Sequence, residues 1–300
     1  MSSIDKKMFE RGLRAADSAT FSEDKIWSRY SNDKVDIGET LAKVIRTLNK
    51  AFPLDRKITA LSIGSSNEPQ FRILETFCRG GLYLLDIEKE ALDIVQERIH
   101  RQLTTHVKTI LADYDKCFFD CRNCSASLRK CLRQNKMNLI ALHHSMYYCQ
   151  EEAWHKLFDN LYRQVLAPEG AIHAVLMACA TKEKYTTSWL YNHFVGKFFG
   201  LQNEQDLQKF KREIEKAPLY KKAQILFKKS RVHFFVDDFG QFMAVAWMIL
   251  LYPGVHKYSL KQREEIAEFI YKHYWLKKRP IWQIQDHLVI YRGIGSNGLI

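Results

Sequence analysis

The sequence predicts an α/β fold on a seven-stranded, mostly parallel sheet, and three observations predict it. Short apolar runs alternate with helical stretches through the first 180 residues. Strands that alternate with helices in this way form a parallel sheet covered on both faces. Four of the first five runs stop at Gly or polar residues, which places those residues on the carboxyl edge where ligands sit in open α/β sheets. Two more strand-like runs follow, the second near the end of the chain.

Taken in order, residues 1–55 read as helical. Ile37, Leu41, Val44, Ile45, Leu48 and Phe52 form a stripe at helical spacing. Ser22-Glu23-Asp24 reads as the cap of a short helix holding Ile26, Trp27 and Tyr30. The first strand is Ile58 to Ile63, ending at Gly64. The second is Leu82 to Leu85, ending at Asp86. The third, Val107 to Leu111, stops before Asp113. The fourth, Met137 to Leu142, stops at His143-His144, and the fifth is Ala171 to Cys179. Helices are expected over 70–78, 89–101, 125–134 and 150–166. After 180 the alternation breaks. Thr181 to Lys229 reads as charged and mostly helical, Val232 to Val236 as a strand, 239–275 as helix-rich, and Gln285 to Tyr291 as the last strand. The expected organisation is one domain: N-terminal helices over 1–55 as a cover, a ligand-binding core over 56–180, a helical insertion over 181–230 as a lid, and C-terminal strands and helices over 231–300.

Composition narrows the function classes. Apolar residues at 46% and charged residues at 27% exclude a disordered or fibrous chain. No run approaches the roughly 18 apolar residues of a membrane span. The longest, Phe242 to Tyr252, reads as a buried helix, so no membrane partner is expected. The start Met-Ser-Ser-Ile-Asp-Lys-Lys lacks the apolar core of a signal peptide. A cytoplasmic location with reduced thiols is therefore expected. The net charge of +12 raises nucleic acid as a partner. The basic clusters Lys221-Lys222, Lys228-Lys229-Arg231 and Lys277-Lys278-Arg279 are scattered, however, and a solvated surface is favoured over a phosphate-tracking rim.

Several residue groups carry chemistry. In Leu61-Ser-Ile-Gly64-Ser65-Ser66-Asn67-Glu68-Pro69, a glycine lets the backbone pass close to a ligand, and the loop leads into a helix N-terminus. A plain strand-to-helix turn is the other reading of this loop. Asp86 lies 22 residues after Gly64, where a carboxylate can accept from both hydroxyls of a ribose. Asp113 follows the third strand and could accept an exocyclic amine; a solvated loop acid is the alternative. His143 and His144, adjacent at a strand end, point to opposite sides. A neutral imidazole there could take a proton near pH 7, and a capped core histidine is the competing reading. Cys117, Cys121, Cys124 and Cys131 have spacings C-x3-C-x2-C-x6-C, a donor set that suits zinc or an iron–sulfur cluster. Cys131 falls in a helical stretch, where a thiol is usually core, and no metal is expected. Trp189, Tyr191, Phe194, Phe198 and Phe199 form an aromatic stripe that reads equally as core or as part of a substrate lid.

The order Leu-Ser-Ile-Gly64, Leu-Asp86-Ile, Ala-Asp113, then Met137-Asn-Leu-Ile-Ala-Leu-His-His-Ser-Met-Tyr-Tyr148 resembles the class I S-adenosylmethionine-dependent methyltransferases. Leu166-Ala-Pro-Glu-Gly-Ala171 resembles that superfamily's turn before strand five. The chain is most similar to the histamine N-methyltransferase-like group, through the Leu-Ser-Ile-Gly loop, the Tyr147-Tyr148 pair and the acidic turn Asp237-Asp238. The likeness spans about residues 55 to 292. It implies a Rossmann-like seven-stranded methyltransferase sheet. It implies S-adenosylmethionine held by Gly64, Ser65, Ser66 and Glu68, with Asp86 on the ribose, Asp113 near the adenine and His143 at the fourth-strand end. His144 and Tyr147 would face the acceptor. His144 stands where the histamine enzyme has an amide side chain, so the likeness implies a polar acceptor rather than histamine itself. The function expected is N-methylation of a small amine or imidazole by in-line transfer, with a small-molecule acceptor as partner. Three readings compete: an RNA or protein methyltransferase, a non-catalytic binding protein of the same fold, and a nicotinamide oxidoreductase. Only one of the three glycines of a dinucleotide loop is present, which disfavours the last. The absence of an Asn/Asp-Pro-Pro-aromatic run leaves amino-methylation of a base unsupported.

Overall fold

The computed structural model describes residues 3–17, 20–64, 70–118, 135–251 and 257–295. In chain order the elements are α1 (Ser3–Arg14), α2 (Thr20–Tyr30), α3 (Asp33–Ala51), β1 (Thr59–Ile63), α4 (Gln70–Phe77), β2 (Gly81–Asp86), α5 (Lys89–Arg101), β3 (Val107–Leu111), α6 (Tyr114–Phe118) and β4 (Met137–His143). There follow α7 (Glu151–Asn160), β5 (Leu166–Met177), α8 (Thr187–Phe199), α9 (Leu207–Ile214), β6 (Gln224–Phe234), α10 (Phe239–Leu250), α11 (Leu260–Ile270) and β7 (Ile281–Arg292). The strands form one mixed sheet in the order β3-β2-β1-β4-β5-β7-β6. β1 pairs in parallel with β2 and β4, β2 with β3, and β4 with β5.

The chain divides into two compact units. One comprises residues 34–176, 206–229 and 286–300. Its central strands are rich in apolar residues because the sheet there is buried on both faces, and β4 is buried at every position. The pleat sends alternate residues to opposite sides. On one side Leu61, Ile63, Tyr83, Leu85, Ile140, Leu142, Ile172, Ala174, Leu288 and Ile290 meet Trp154, Leu157 and Phe158 of α7 and Phe210 of α9. On the other, Ala60, Leu82, Leu84, Leu139, Ala141, Ala171, Val289 and Tyr291 meet Leu41, Val44, Ile45 and Leu48 of α3, with Leu74 of α4 and Leu92 of α5.

The other unit comprises residues 1–33, 177–205 and 230–285. Its core is α10, buried nearly all round through Phe242, Met243, Val245, Ala246, Trp247 and Leu250. Asp238 caps the helix by accepting from the Gln241 N–H, and the Trp247 indole donates to the Gly12 carbonyl of α1 at 2.9 Å. A Cβ on Gly12 would lie 2.6 Å from the Phe239 ring, so this contact of α1 with α10 requires glycine. The aromatic stripe of α8 is core here: Tyr191 and Phe194 are buried in this cluster, with Trp189, Phe198 and Phe199 packed against it. Among the described residues, no helix is long and apolar enough to cross a membrane.

Four expected boundaries move. Ser22–Asp24 lie inside α2, which starts at Thr20. The strand expected from Val232 begins at Gln224, and the one expected from Gln285 begins at Ile281. The start of β6 was hidden by charged and polar residues along a strand with many exposed positions, and that of β7 by Gln283 and Gln285, polar residues that are buried. Leu166–Gly170, read as a turn, belongs to β5. The pairing jumps from Met137↔Leu166 to Leu139↔Ala171, so Ala167–Gly170 bulge out of the ladder, which accommodates a proline that has no N–H to donate. Asn138 secures the bulge: its carbonyl accepts from the Thr59 N–H at 3.2 Å and its amide donates to the Glu169 carbonyl at 3.1 Å.

The side of the sheet that faces α3 carries a polar line among its apolar residues. His143 of β4, His173 of β5 and His287 of β7 are each fully buried and continue the alternation of Leu139 and Ala141, Ala171, and Val289 respectively. His143 Nε2 lies 3.0 Å from His173 Nδ1, and His173 Nε2 lies 3.3 Å from His287 Nδ1. His287 Nε2 lies 2.8 Å from Asp36 Oδ2 on α3. Burial pushes the His173 pKa well below its ordinary value, aided by His143, His287 and Lys228.

Two predictions follow from this packing. Asn138→Ala strands two backbone groups and should cost about 1–3 kcal/mol per group left unsatisfied, read as a lower urea midpoint with unchanged m. His173 is neutral in the fold but takes a proton in the unfolded chain below about pH 6.5. The unfolded state then binds more protons, so its contribution is intact above that pH and stability falls as pH drops. The expected slope is about 1.4 kcal/mol per pH unit for this group. Urea unfolding between about pH 7.5 and 5.5 should show a shallower pH dependence in His173→Phe than in the native chain.

Candidate functional site

The carboxyl ends of β1, β2, β3 and β4 form one edge, and backbone hydrogen bonds just beyond the strands hold it level. The Gly64 N–H donates to the Leu85 carbonyl at 2.8 Å, Ala112 to Asp86 at 2.9 Å, and His144 to Val175 at 2.9 Å. These bonds align Gly64, Asp86, Asp113 and His143–Ser145 along the edge. β1 lies between β2 and β4, so the strand order reverses direction beside Gly64.

Gly64 has φ +67°, a conformation that favours glycine. A Cβ there would also fall 2.6 Å from the Ser145 Cβ, so the two loops touch. The Tyr114 hydroxyl, after β3, donates to the Ser145 carbonyl at 3.1 Å. The Ser145 hydroxyl is buried and has no hydrogen-bond partner. A buried hydroxyl without a partner costs free energy unless something bonds it. Here it lies beside the glycine that leads into the 65–69 loop.

Asp86 ends β2, and its Oδ1 accepts from the Glu88 N–H at 3.0 Å, which fixes the carboxylate in a local turn. Asp113 lies 3.5 Å from Lys116 Nζ, and its carbonyl begins α6 by accepting from Cys117.

His144 leaves the strand with φ +53°, a left-handed conformation that costs a side-chain-bearing residue roughly 1 kcal/mol. Outliers of this kind concentrate at functional sites. The turn brings His144 Nδ1 within 3.0 Å of the Tyr147 hydroxyl, with the two rings stacked at 5.8 Å. This bond ties the imidazole tautomer to the phenol proton. Tyr148 is exposed. His143 points into the sheet layer toward His173.

Gly64, Asp86, Asp113, His143, His144 and Tyr147 thus lie at or just beyond the carboxyl ends of β1 to β4, and His144 and Tyr147 are in contact. Ser65, Ser66 and Glu68 lie outside the described residues, as do Cys121, Cys124 and Cys131. Cys117 is buried, and no metal-holding cluster occurs among the described residues. Several of the basic side chains are drawn into ion pairs: Lys229 with Asp286 at 2.8 Å, Arg231 with Glu183, and Lys278 with Asp237 at 2.5 Å. Sequence reasoning missed Ser145, His173, His287 and Asp36. The available signal was a histidine interrupting two otherwise apolar strands, Ala171-Ile-His-Ala-Val175 and His287-Leu-Val-Ile290.

By sequence, the chain matches no family model and no curated protein. By structure, it is similar to the YcgJ protein of Bacillus subtilis, with TM-score 0.52 and 9% identity, covering 85% of this chain and 99% of that one. It is also similar to a candidate methyltransferase from Bacillus halodurans, with TM-score 0.51 and 11% identity, covering 84% and 99% respectively. At such identities the likeness establishes the architecture: the chain has the Rossmann-like, seven-stranded sheet of the methyltransferase fold.

Proposed function

We propose that the chain transfers a methyl group from S-adenosylmethionine to a nitrogen of a small polar molecule. The observation that carries the reading is the partnerless buried hydroxyl of Ser145 beside Gly64, on the same sheet edge as the Asp86 carboxylate. These groups fit an adenosyl ligand. Asp86 accepts from the ribose hydroxyls, Gly64 admits the ligand close to the backbone, and Ser145 gains the hydrogen bond it lacks. Asp113, at the next strand end, accepts from the exocyclic amine of the adenine.

Bound there, the cofactor supplies an electrophilic methyl on a sulfonium. The protein's own work is placement: an in-line attack needs the acceptor's lone pair held collinear in a dry pocket, which can account for a large part of the barrier lowering. His144 and Tyr147, coupled through their 3.0 Å hydrogen bond, are the groups that orient the acceptor. A small amine or imidazole is the acceptor class favoured by the resemblance to the histamine N-methyltransferase-like group. The sheet strands beneath these residues are packed on both faces, which keeps the edge rigid.

S-adenosylhomocysteine should therefore raise the unfolding midpoint, by about 2.7 kcal/mol of stabilisation at a hundredfold excess over its dissociation constant, while NAD should not. Asp86→Ala should weaken that response by at least tenfold in affinity, because it removes acceptors for two hydroxyls at about 0.5–1.5 kcal/mol or more each. A midpoint unmoved by millimolar S-adenosylhomocysteine would overturn the reading. Ser145→Ala separates a ligand-binding role from a structural one. It should leave the ligand-free protein as stable or more so, since a partnerless hydroxyl is removed, yet weaken S-adenosylhomocysteine by about 2- to 10-fold in calorimetric titration.

A further inference from the structure

In the unit that comprises residues 1–33, 177–205 and 230–285, three segments meet around the ring of Tyr185. The Arg279 guanidinium carbon lies over that ring, 4.0 Å from its centroid. The Tyr274 ring meets it edge-on at 5.6 Å, and the His273 ring lies nearly parallel to it at 6.1 Å. His273 and Tyr274 follow α11, Arg279 comes just before β7, and Tyr185 just before α8. A bridge between Thr186 and Trp282 sets the last two segments side by side. Tyr185 at φ +69° and Lys278 at φ +49° both hold the left-handed conformation. Backbone strain of this kind concentrates at functional sites.

Three polar atoms of this cluster are buried without a hydrogen-bond partner: Arg279 Nη1, the Tyr274 hydroxyl and His273 Nδ1. Tyr274 is fully buried, whereas Tyr185, His273 and Arg279 are half-buried, so the cluster keeps contact with solvent. Neighbouring cations have carboxylate partners: Lys278 with Asp237 at 2.5 Å, Lys272 with Glu268, and Arg231 with Glu183. Arg279 has none among the described residues. A guanidinium only donates. Burial pushes the Tyr274 phenol up, so at neutral pH the hydroxyl keeps its proton and donates as well. Both groups therefore need an acceptor. Beside a cation the strongest acceptor is an anionic oxygen.

We propose that the Arg279 guanidinium and the Tyr274 hydroxyl form a binding site for a small oxyanion, a carboxylate or a phosphate group. The site belongs to the unit that does not contain Gly64 and Asp86, and it does not rest on the methyl-transfer reading. The planar fork of a guanidinium matches both anions, and stacking on Tyr185 holds that fork in one plane. Trp189 and Phe269, with ring centroids 5.5 and 6.5 Å from that of Tyr185, extend the aromatic surface beside the charge. A carboxylate borne on a flat ring could pack there.

The test is thermal unfolding of the full chain in sodium phosphate or sodium benzoate, against sodium chloride at equal ionic strength and pH. The assigned Arg279 Nε–H resonance is followed in the same titrations. One anion or both should raise the midpoint saturably over chloride and shift that resonance, and the anion that acts at lower concentration tells a phosphate ligand from a carboxylate. Tyr274→Phe should leave the ligand-free midpoint as high or higher, because a partnerless hydroxyl is removed, and should weaken the anion by about 2- to 10-fold. Arg279→Gln should abolish the response, and Arg279→Lys, which keeps the charge without the fork, should retain only part of it. A native chain whose midpoint and Arg279 resonance ignore both anions overturns the proposal without any variant, leaving water as the partner of the two donors. So does an anion affinity unchanged in both Tyr274→Phe and Arg279→Gln, which would place the anion elsewhere on this basic protein.

Discussion

The pairing of β1 with β2 on one side and β4 on the other is the constraint on which the carboxyl edge depends. Parallel strands need crossovers, and where successive crossovers leave a central strand in opposite directions a crevice opens at its carboxyl end. Gly64 sits at that point with a positive φ, pressed against Ser145 so closely that a Cβ has no room. The sheet below is packed through Leu61, Ile63, Leu85 and Leu142 on one side and Ala60, Leu84 and Ala141 on the other. A change in register of one residue would exchange those faces, so the edge residues inherit their positions from core packing.

Three fully buried histidines in such a sheet need an account. Each imidazole buried alone would leave polar atoms unbonded, at a cost of about 1–3 kcal/mol apiece. Set on adjacent strands and on one face, they bond one another instead, and Asp36 from α3 closes the line. α3 therefore does two things with one helix: Leu41, Val44, Ile45 and Leu48 cover the sheet, and Asp36, at the N-terminal end of the same helix, meets its polar stripe.

Much of the α/β framework was legible in the sequence. The alternation of apolar runs with helical stretches located β1 to β4 within a residue or two, and the residues ending those runs proved to be the edge residues: Gly64, Asp86, Asp113 and His143. β6 was read too short because a strand half exposed to solvent tolerates Lys and Arg, which resemble helix surface in a linear scan, and β7 because Gln283 and Gln285, both buried, interrupt its apolar run. The start of β5 was read as a turn from Pro168 and Gly170. That local signal was correct for a bulge, and the side chain of Asn138, distant in sequence, keeps it inside the sheet. Ser145 was passed over because nothing in a lone serine reports that its hydroxyl will be buried without a partner.

The sequence by itself determined which segments are strands and helices and which polar groups end the strands, since both follow from the local period of apolar residues and from where it stops. Only the tertiary structure decided which of those groups meet. Asp36 and His287 are 251 residues apart and share a 2.8 Å contact. His143 and His173 become neighbours through the β4–β5 register, and Gly64 meets Ser145 because β1 pairs with β4. Register and strand order are set by the joint burial of two apolar faces, a property of the assembled sheet that no single segment carries.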